Sequence, residues 1–170
     1  SLPDSYIESI QEGSNGTLWI KTATDYCVYN SQTESFDRNT HQLFVHMGIK
    51  ETPRVIYIDR RHNLWGFIPK DGVVCFNNQQ QTSFEFGYND DELGIPQGNV
   101  CSISECKDGA LIIYDDGRIV CCDVTHRQQV VWTNNDIAQL HLRKSKSLKA
   151  FTDQLENIWL YGQGTLFVYN

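Results

Sequence analysis

An all-β fold, a partial β-propeller of about four blades with the last blade incomplete, is predicted by three observations: a tryptophan-centred motif recurring at constant spacing, short apolar segments keeping register around it, and turn residues between those segments. Gly16-Thr17-Leu18-Trp19-Ile20 recurs as His62-Asn63-Leu64-Trp65-Gly66, Gly109-Ala110-Leu111-Ile112-Ile113 and Glu156-Asn157-Ile158-Trp159-Leu160. The anchors Trp19, Trp65, Ile112 and Trp159 are 46, 47 and 47 residues apart. That period suits a four-stranded blade and is too long for a strand solenoid. Helical repeats of similar length would need a 3.6-residue apolar periodicity, which is absent.

Each element of the unit follows from its residues. Nine positions before each anchor stand Ile10, Ile56, Ile103 and Ala150, within apolar runs such as Val55-Ile56-Tyr57-Ile58; these predict the innermost strand. The anchor segment is the second strand. Its large flat tryptophan fills the wedge between neighbouring blades, a packing role preferred over a sugar-stacking platform. Cys27-Val28-Tyr29-Asn30, Val74-Cys75-Phe76-Asn77, Val120-Cys121-Cys122-Asp123 and Phe167-Val168-Tyr169-Asn170 predict the third strand. Phe36, Phe84 and Trp132, 48 residues apart, mark the outer strand, and the fourth unit ends before reaching its own. Ser14-Asn15-Gly16, Lys107-Asp108-Gly109 and Asp115-Asp116-Gly117 supply residues that tolerate positive φ in tight turns. Helix is expected almost nowhere, the exception being a short turn at Asp136 to Leu142. Blade limits are placed at about 1–48, 49–95, 96–145 and 146–170.

These residues resemble the regulator-type propeller repeat of the periplasmic sensor region of bacterial hybrid two-component system histidine kinases. The resemblance rests on Leu2-Pro3 ahead of Ile7 and Ile10, Ile95-Pro96 ahead of Val100 and Ile103, the Gly16 to Ile20 motif, and Gly72-Val73-Val74-Cys75-Phe76-Asn77. The second and fourth units lack the Leu-Pro lead-in, and Ile112 replaces tryptophan in the third. No Gly-His or Trp-Asp pair of the WD-repeat class occurs, and the Ser14 to Trp19 turn echoes a sialidase hairpin that carries no catalytic meaning. The resemblance implies a fragment of a larger periplasmic propeller that detects an oligosaccharide and relays it to a histidine kinase. Alternatives are a scaffold for association or dimerisation and, less favoured, a propeller lyase or glycosidase.

Composition narrows the function by exclusion. The 170 residues hold 14 Lys+Arg against 21 Asp+Glu, a net charge of -7, whereas a nucleic-acid-binding module carries a basic footprint. No apolar run approaches the length of a membrane span, and there is no secretory h-region. With Ser1 first and Met47 the single methionine, a processed or cut piece is expected. Four blades of a larger ring leave two open sides, so self-association through open blade edges is expected in preference to closure of a small ring.

Candidate ligand-binding residues lie in the long connections Asp37 to Pro53 and Gly87 to Asn99, where propeller ligands collect. Arg38, His46 and Arg54, with His41 and Lys50, belong to the first; Tyr88 and Asp90, with Asp91 and Glu92, belong to the second. Guanidinium, imidazole, carboxylate and aromatic groups suit a hydroxyl-rich or anionic sugar through bidentate and stacked contacts, although solvated loops alone would look alike. Catalytic residues, metal ligands and cofactors are not expected: no Gly-x-Ser-x-Gly, Walker or His-Glu-x-x-His motif occurs. The six cysteines, on or beside predicted strands, are expected to remain thiols, because vicinal Cys121-Cys122 cannot bridge without strain and Cys101 and Cys106 point to opposite strand faces. Asn15-Gly16-Thr17 is a glycosylation sequon read as a turn.

Overall fold

The computed structural model describes residues 2, 4–88, 94–107, 109–123, 128–132, 148–162 and 164–169. Four antiparallel sheets follow one another along the chain in an arc that does not close. The first comprises β1 (Ile7–Glu12), β2 (Thr17–Thr22), β3 (Tyr26–Asn30) and β4 (Ser35–Asp37). After a helix, α1 (Thr40–His46), comes the second: β5 (Val55–Ile58), β6 (Leu64–Ile68), β7 (Gly72–Asn77) and β8 (Thr82–Gly87). The third comprises β9 (Val100–Cys106), β10 (Gly109–Tyr114), β11 (Ile119–Asp123) and β12 (Gln128–Trp132). The last has three strands, β13 (Lys149–Thr152), β14 (Ile158–Gly162) and β15 (Thr165–Tyr169). This is the partial propeller expected, the fourth blade having three strands among the described residues.

Strand order within each sheet is sequential, so every blade is a meander. Trp19 pairs with Val28, Trp65 with Cys75 and Trp159 with Val168, each the second residue of its third-strand segment; in the third blade Leu111 takes that partner, Cys121, and Ile112 pairs with Val120, a shift of one residue. Side chains alternate between the two faces of a strand, and each face packs on a different neighbour. Trp65, Phe67, Val73 and Cys75 of the second blade join Ala110, Ile112, Val120 and Cys122 of the third in one buried cluster. Leu64, Ile68, Val74 and Phe76, from the opposite face, join Trp19, Tyr26 and Val28 of the first. Leu111, Ile113 and Ile119 meet Ala150, Ile158 and Leu160 of the fourth. The core is therefore three inter-blade layers, with the tryptophans Trp19 and Trp65 inside two of them.

The innermost strands are tied to one another by polar side chains reaching a neighbour's backbone one repeat away. Gln11 Nε2 donates to the Ile56 carbonyl at 2.8 Å, and its Oε1 accepts the Ile58 N–H at 2.7 Å. Arg54 Nη2 donates to the Val100 carbonyl at 2.7 Å, and Ser102 Oγ to the Leu148 carbonyl at 2.9 Å. Thr152 Oγ1 donates to the Glu105 carbonyl at 2.7 Å.

Two departures from the sequence reading concern the connections. The segment 37–53, read as a loop, contains α1, which is held by a tertiary contact: Phe44 is fully buried with its ring 5.4 Å from Trp19 and 5.8 Å from Tyr26. The helical turn expected at Asp136 to Leu142 lies outside the described residues.

Candidate functional site

Inner strands of all four blades line an open cavity of about 580 Å³. Its wall takes Glu8, Ser9 and Gln11 from β1, Val55 to Tyr57 from β5, Cys101 to Glu105 from β9, and Lys149 to Thr152 from β13. Lys21, Arg54, Arg60 and Tyr161 complete it. Four cationic side chains face two acidic ones, a local excess of positive charge in a protein whose net charge is -7.

Part of that charge is internally paired. Lys21 Nζ lies 2.7 Å from Glu8 Oε2, and Arg60 Nε 2.9 Å from Glu105 Oε2. Lys149 has no ion-pair partner among the described residues, and its side chain extends from the exposed face of β13. Ser104 is 7% exposed, and its Oγ has no hydrogen-bond partner among the described residues. A buried hydroxyl left so is a group ready to meet an incoming acceptor or donor. Phe151 and Tyr161, 6.2 Å apart edge to face, present exposed rings at the fourth-blade wall, and Phe151 stacks on Trp159 at 5.8 Å.

The Tyr57 phenol and the Cys101 thiol in the wall stay neutral near pH 7. Burial, reinforced by Glu105 and Asp59, pushes the Tyr57 phenol up to about 12, and burial pushes the Cys101 thiol up to about 11. The Cys101 Sγ–H donates to the carbonyls of Ile113 and Leu148 at 3.3 and 3.2 Å. Among the described residues no group of His, Cys, Asp and Glu is arranged to hold a metal ion. The wall offers donors, acceptors and aromatic faces, the chemistry of binding.

Of the candidate ligand-binding residues that the structure describes, Arg54 lines this cavity and Arg38, His46 and Tyr88 do not. Its guanidinium lies over the Phe67 ring at 5.0 Å and also donates to Asn99 Oδ1, so it joins the second blade to the third. Tyr88 is half-buried and donates its hydroxyl to the Pro69 carbonyl at 3.0 Å; burial raises its phenol pKa. Arg38 is exposed after β4 and donates to the Leu2 carbonyl at 3.2 Å, and His46 is exposed at the end of α1. Asp90, Asp91 and Glu92 lie outside the described residues.

Sequence reading also passed over two aspartates. Asp59 Oδ2 accepts the Asn63 side-chain amide and the Trp65 indole N–H, each at 3.0 Å. Asp153 does the same for Asn157 and Trp159 at 2.9 and 2.8 Å. The signal was present as Asp-x-x-x-Asn-x-Trp, occurring twice, 94 residues apart.

Residues 1–24 match the family model described as "Two component regulator propeller". None of the curated proteins compared is detectably similar. Among solved structures, the chain is similar over its whole length to the extracellular domain of the putative hybrid two component system BT4673 from B. thetaiotaomicron, at 15% identity and a TM-score of 0.66. A second structure of that domain, described as a putative one component system, gives 14% and 0.67. PorZ, an essential bacterial surface component of the type-IX secretion system of Porphyromonas gingivalis, gives 10% identity and 0.53 over 99% of the chain. The chain spans 21% of the length of each of these. Its first 24 residues are thus similar to the two-component regulator propeller repeat, and its four-sheet arc is similar in fold to those BT4673 extracellular domains.

Proposed function

We propose that this chain is a non-enzymatic, extracytoplasmic sensor segment of a two-component signalling protein, and that its inner-strand cavity contributes to binding an oligosaccharide whose presence is relayed to a histidine kinase. The observation that carries the reading is the regulator-propeller match over residues 1–24. The named function of the BT4673 relatives supports a location outside the cytoplasm, and in a Gram-negative cell the periplasm. The cationic excess, the Ser104 hydroxyl and the exposed rings of Phe151 and Tyr161 favour an acidic, hydroxyl-rich glycan over an apolar ligand. Arg54 is the connection residue best placed to take part; Arg38, His46, Tyr88 and Asp90 would serve a more peripheral contact. Because the wall belongs to four blades joined by inner-strand hydrogen bonds, a ligand touching several of them would alter blade spacing, which is the form a relay could take.

Calorimetric titration with acidic and neutral oligosaccharides tests this. Saturable binding of an acidic glycan, weakened at least several-fold by Lys149→Ala, is the expected result. No heat with any glycan, or binding indifferent to Lys149, would overturn it. Self-association is a second reading, favoured by apolar side chains on both end blades: Ile10 is 55% exposed on the first, and Leu166 and Val168 are 59% and 47% exposed on the last.

A further inference from the structure

The third repeat has lost the whole hydrogen-bonded turn of its neighbours. Where the second and fourth repeats carry Asp59, Asn63 and Trp65 or Asp153, Asn157 and Trp159, the third has Cys106, Ala110 and Ile112. Cys106 stands 47 residues from each aspartate. On the third strand of the same blade, Cys121 stands where the first, second and fourth blades carry Val28, Cys75 and Val168.

The two cysteines meet in space. Cys106 lies opposite Gly109 on β10, and Cys121 lies opposite Leu111, so both side chains are on the face of the sheet that carries residues 109 and 111. Residue 109 has no side chain, and a Cβ there would meet the Cys122 carbonyl oxygen, so the diagonal over β10 is kept clear. Across it the two sulfurs approach to 2.9 Å. Cys122 points to the other face, into the layer between the second and third blades, while Cys106 and Cys121 pack in the layer between the third and fourth.

We propose that Cys106 and Cys121 are a cross-linking site, forming a disulfide that ties β9 to β11 over β10 and takes over the turn-locking role that aspartate has in the second and fourth blades. Bond formation needs the sulfurs to close by roughly 1 Å to about 2.05 Å, and β9 and β11 to draw together over β10, since strands flanking a third stand farther apart than the usual Cα span of a disulfide. The oxidant is an external disulfide, of the kind carried by oxidised glutathione or an extracytoplasmic thiol oxidase. One cysteine thiolate attacks it to give a mixed disulfide and release one thiolate. The second cysteine thiolate then attacks the chain's sulfur in that mixed disulfide and expels the other. Two electrons pass from the cysteine pair to the oxidant, whose two sulfurs leave as thiols carrying the two protons. The site needs only an oxidising thiol–disulfide poise and does not depend on the sensing role.

The test is to incubate the full chain with oxidised glutathione at mildly alkaline pH, unfold it, alkylate, and map the products by tandem mass spectrometry. Alkylatable thiols are expected to fall by two, the intact mass by two hydrogens, and the linked residues to be Cys106 and Cys121. Cys106→Ser and Cys121→Ser are each expected to lose no thiol to cross-linking. Retention of all six thiols, glutathione adducts alone, a link between two chains, or a bridge joining any other pair would overturn the proposal; mapping of the unsubstituted chain decides it even where a variant folds poorly.

Discussion

The indole N–H of Trp65 donates to Asp59 Oδ2 at 3.0 Å, across a turn whose Oδ1 accepts the backbone N–H groups of Arg61 and Asn63, each at 2.9 Å. One carboxylate thus shapes the β5–β6 turn and also orients the ring that packs between the second and third blades. Asp59 is buried, and removing it would strand several donors at once.

Asp59→Ala is therefore expected to destabilise the chain by about 2–4 kcal/mol, because hydrogen bonds to a charged group are worth more than neutral ones and the donors left behind are buried. Urea unfolding measures this as a lower midpoint at unchanged slope. A midpoint equal to that of the parent chain would show that the turn holds without its carboxylate.

Asp153 gives a pH prediction. Hydrogen bonds from Trp159, then Asn157, hold its carboxyl down at about 2, against an ordinary 3.8. A depressed folded-state value means stabilisation that is complete above the ordinary value and is lost as pH falls from 3.8 towards 2. The Trp159 indole N–H resonance, followed by NMR through that window, should titrate near pH 2 and lose its titration in Asp153→Asn. A midpoint near 4 would count against the network.

Phe44→Ala should detach α1. Deleting a fully buried phenylalanine ordinarily costs about 3–5 kcal/mol, and here the ring contacts both Trp19 and Tyr26. A red-shifted Trp19 fluorescence at reduced stability is expected; an unchanged spectrum would show that the helix is not anchored through this ring.

Most second and third strands were legible because they are local runs rich in Ile, Val, Leu, Tyr, Phe, Trp or Cys, and Val55 to Ile58 is β5 without remainder. Spacing carried the blade order, since every repeat must meet its neighbours in the same way. The helix α1 was not legible, because seven residues give under two helical turns, and what holds them is a contact between residues 25 positions apart, Trp19 and Phe44. The cavity was legible only through Arg54. Lys149 and Ser104 are ordinary strand residues until four repeats bring their inner edges together. The Cys106–Cys121 approach is not legible for a similar reason: it crosses an intervening strand diagonally, which neither sequence neighbourhood nor direct pairing displays.

Because side chains bond inner strands one repeat apart, each blade leans on those beside it, so the arc should open from its ends. The second blade, whose β6 is buried at every position, has packed neighbours on both faces, whereas the first and fourth have one each. Stability in such an array is shared between adjacent units. Amide protons of β6 and β7 should consequently be the last to exchange, and loosening at either end need not reach the middle.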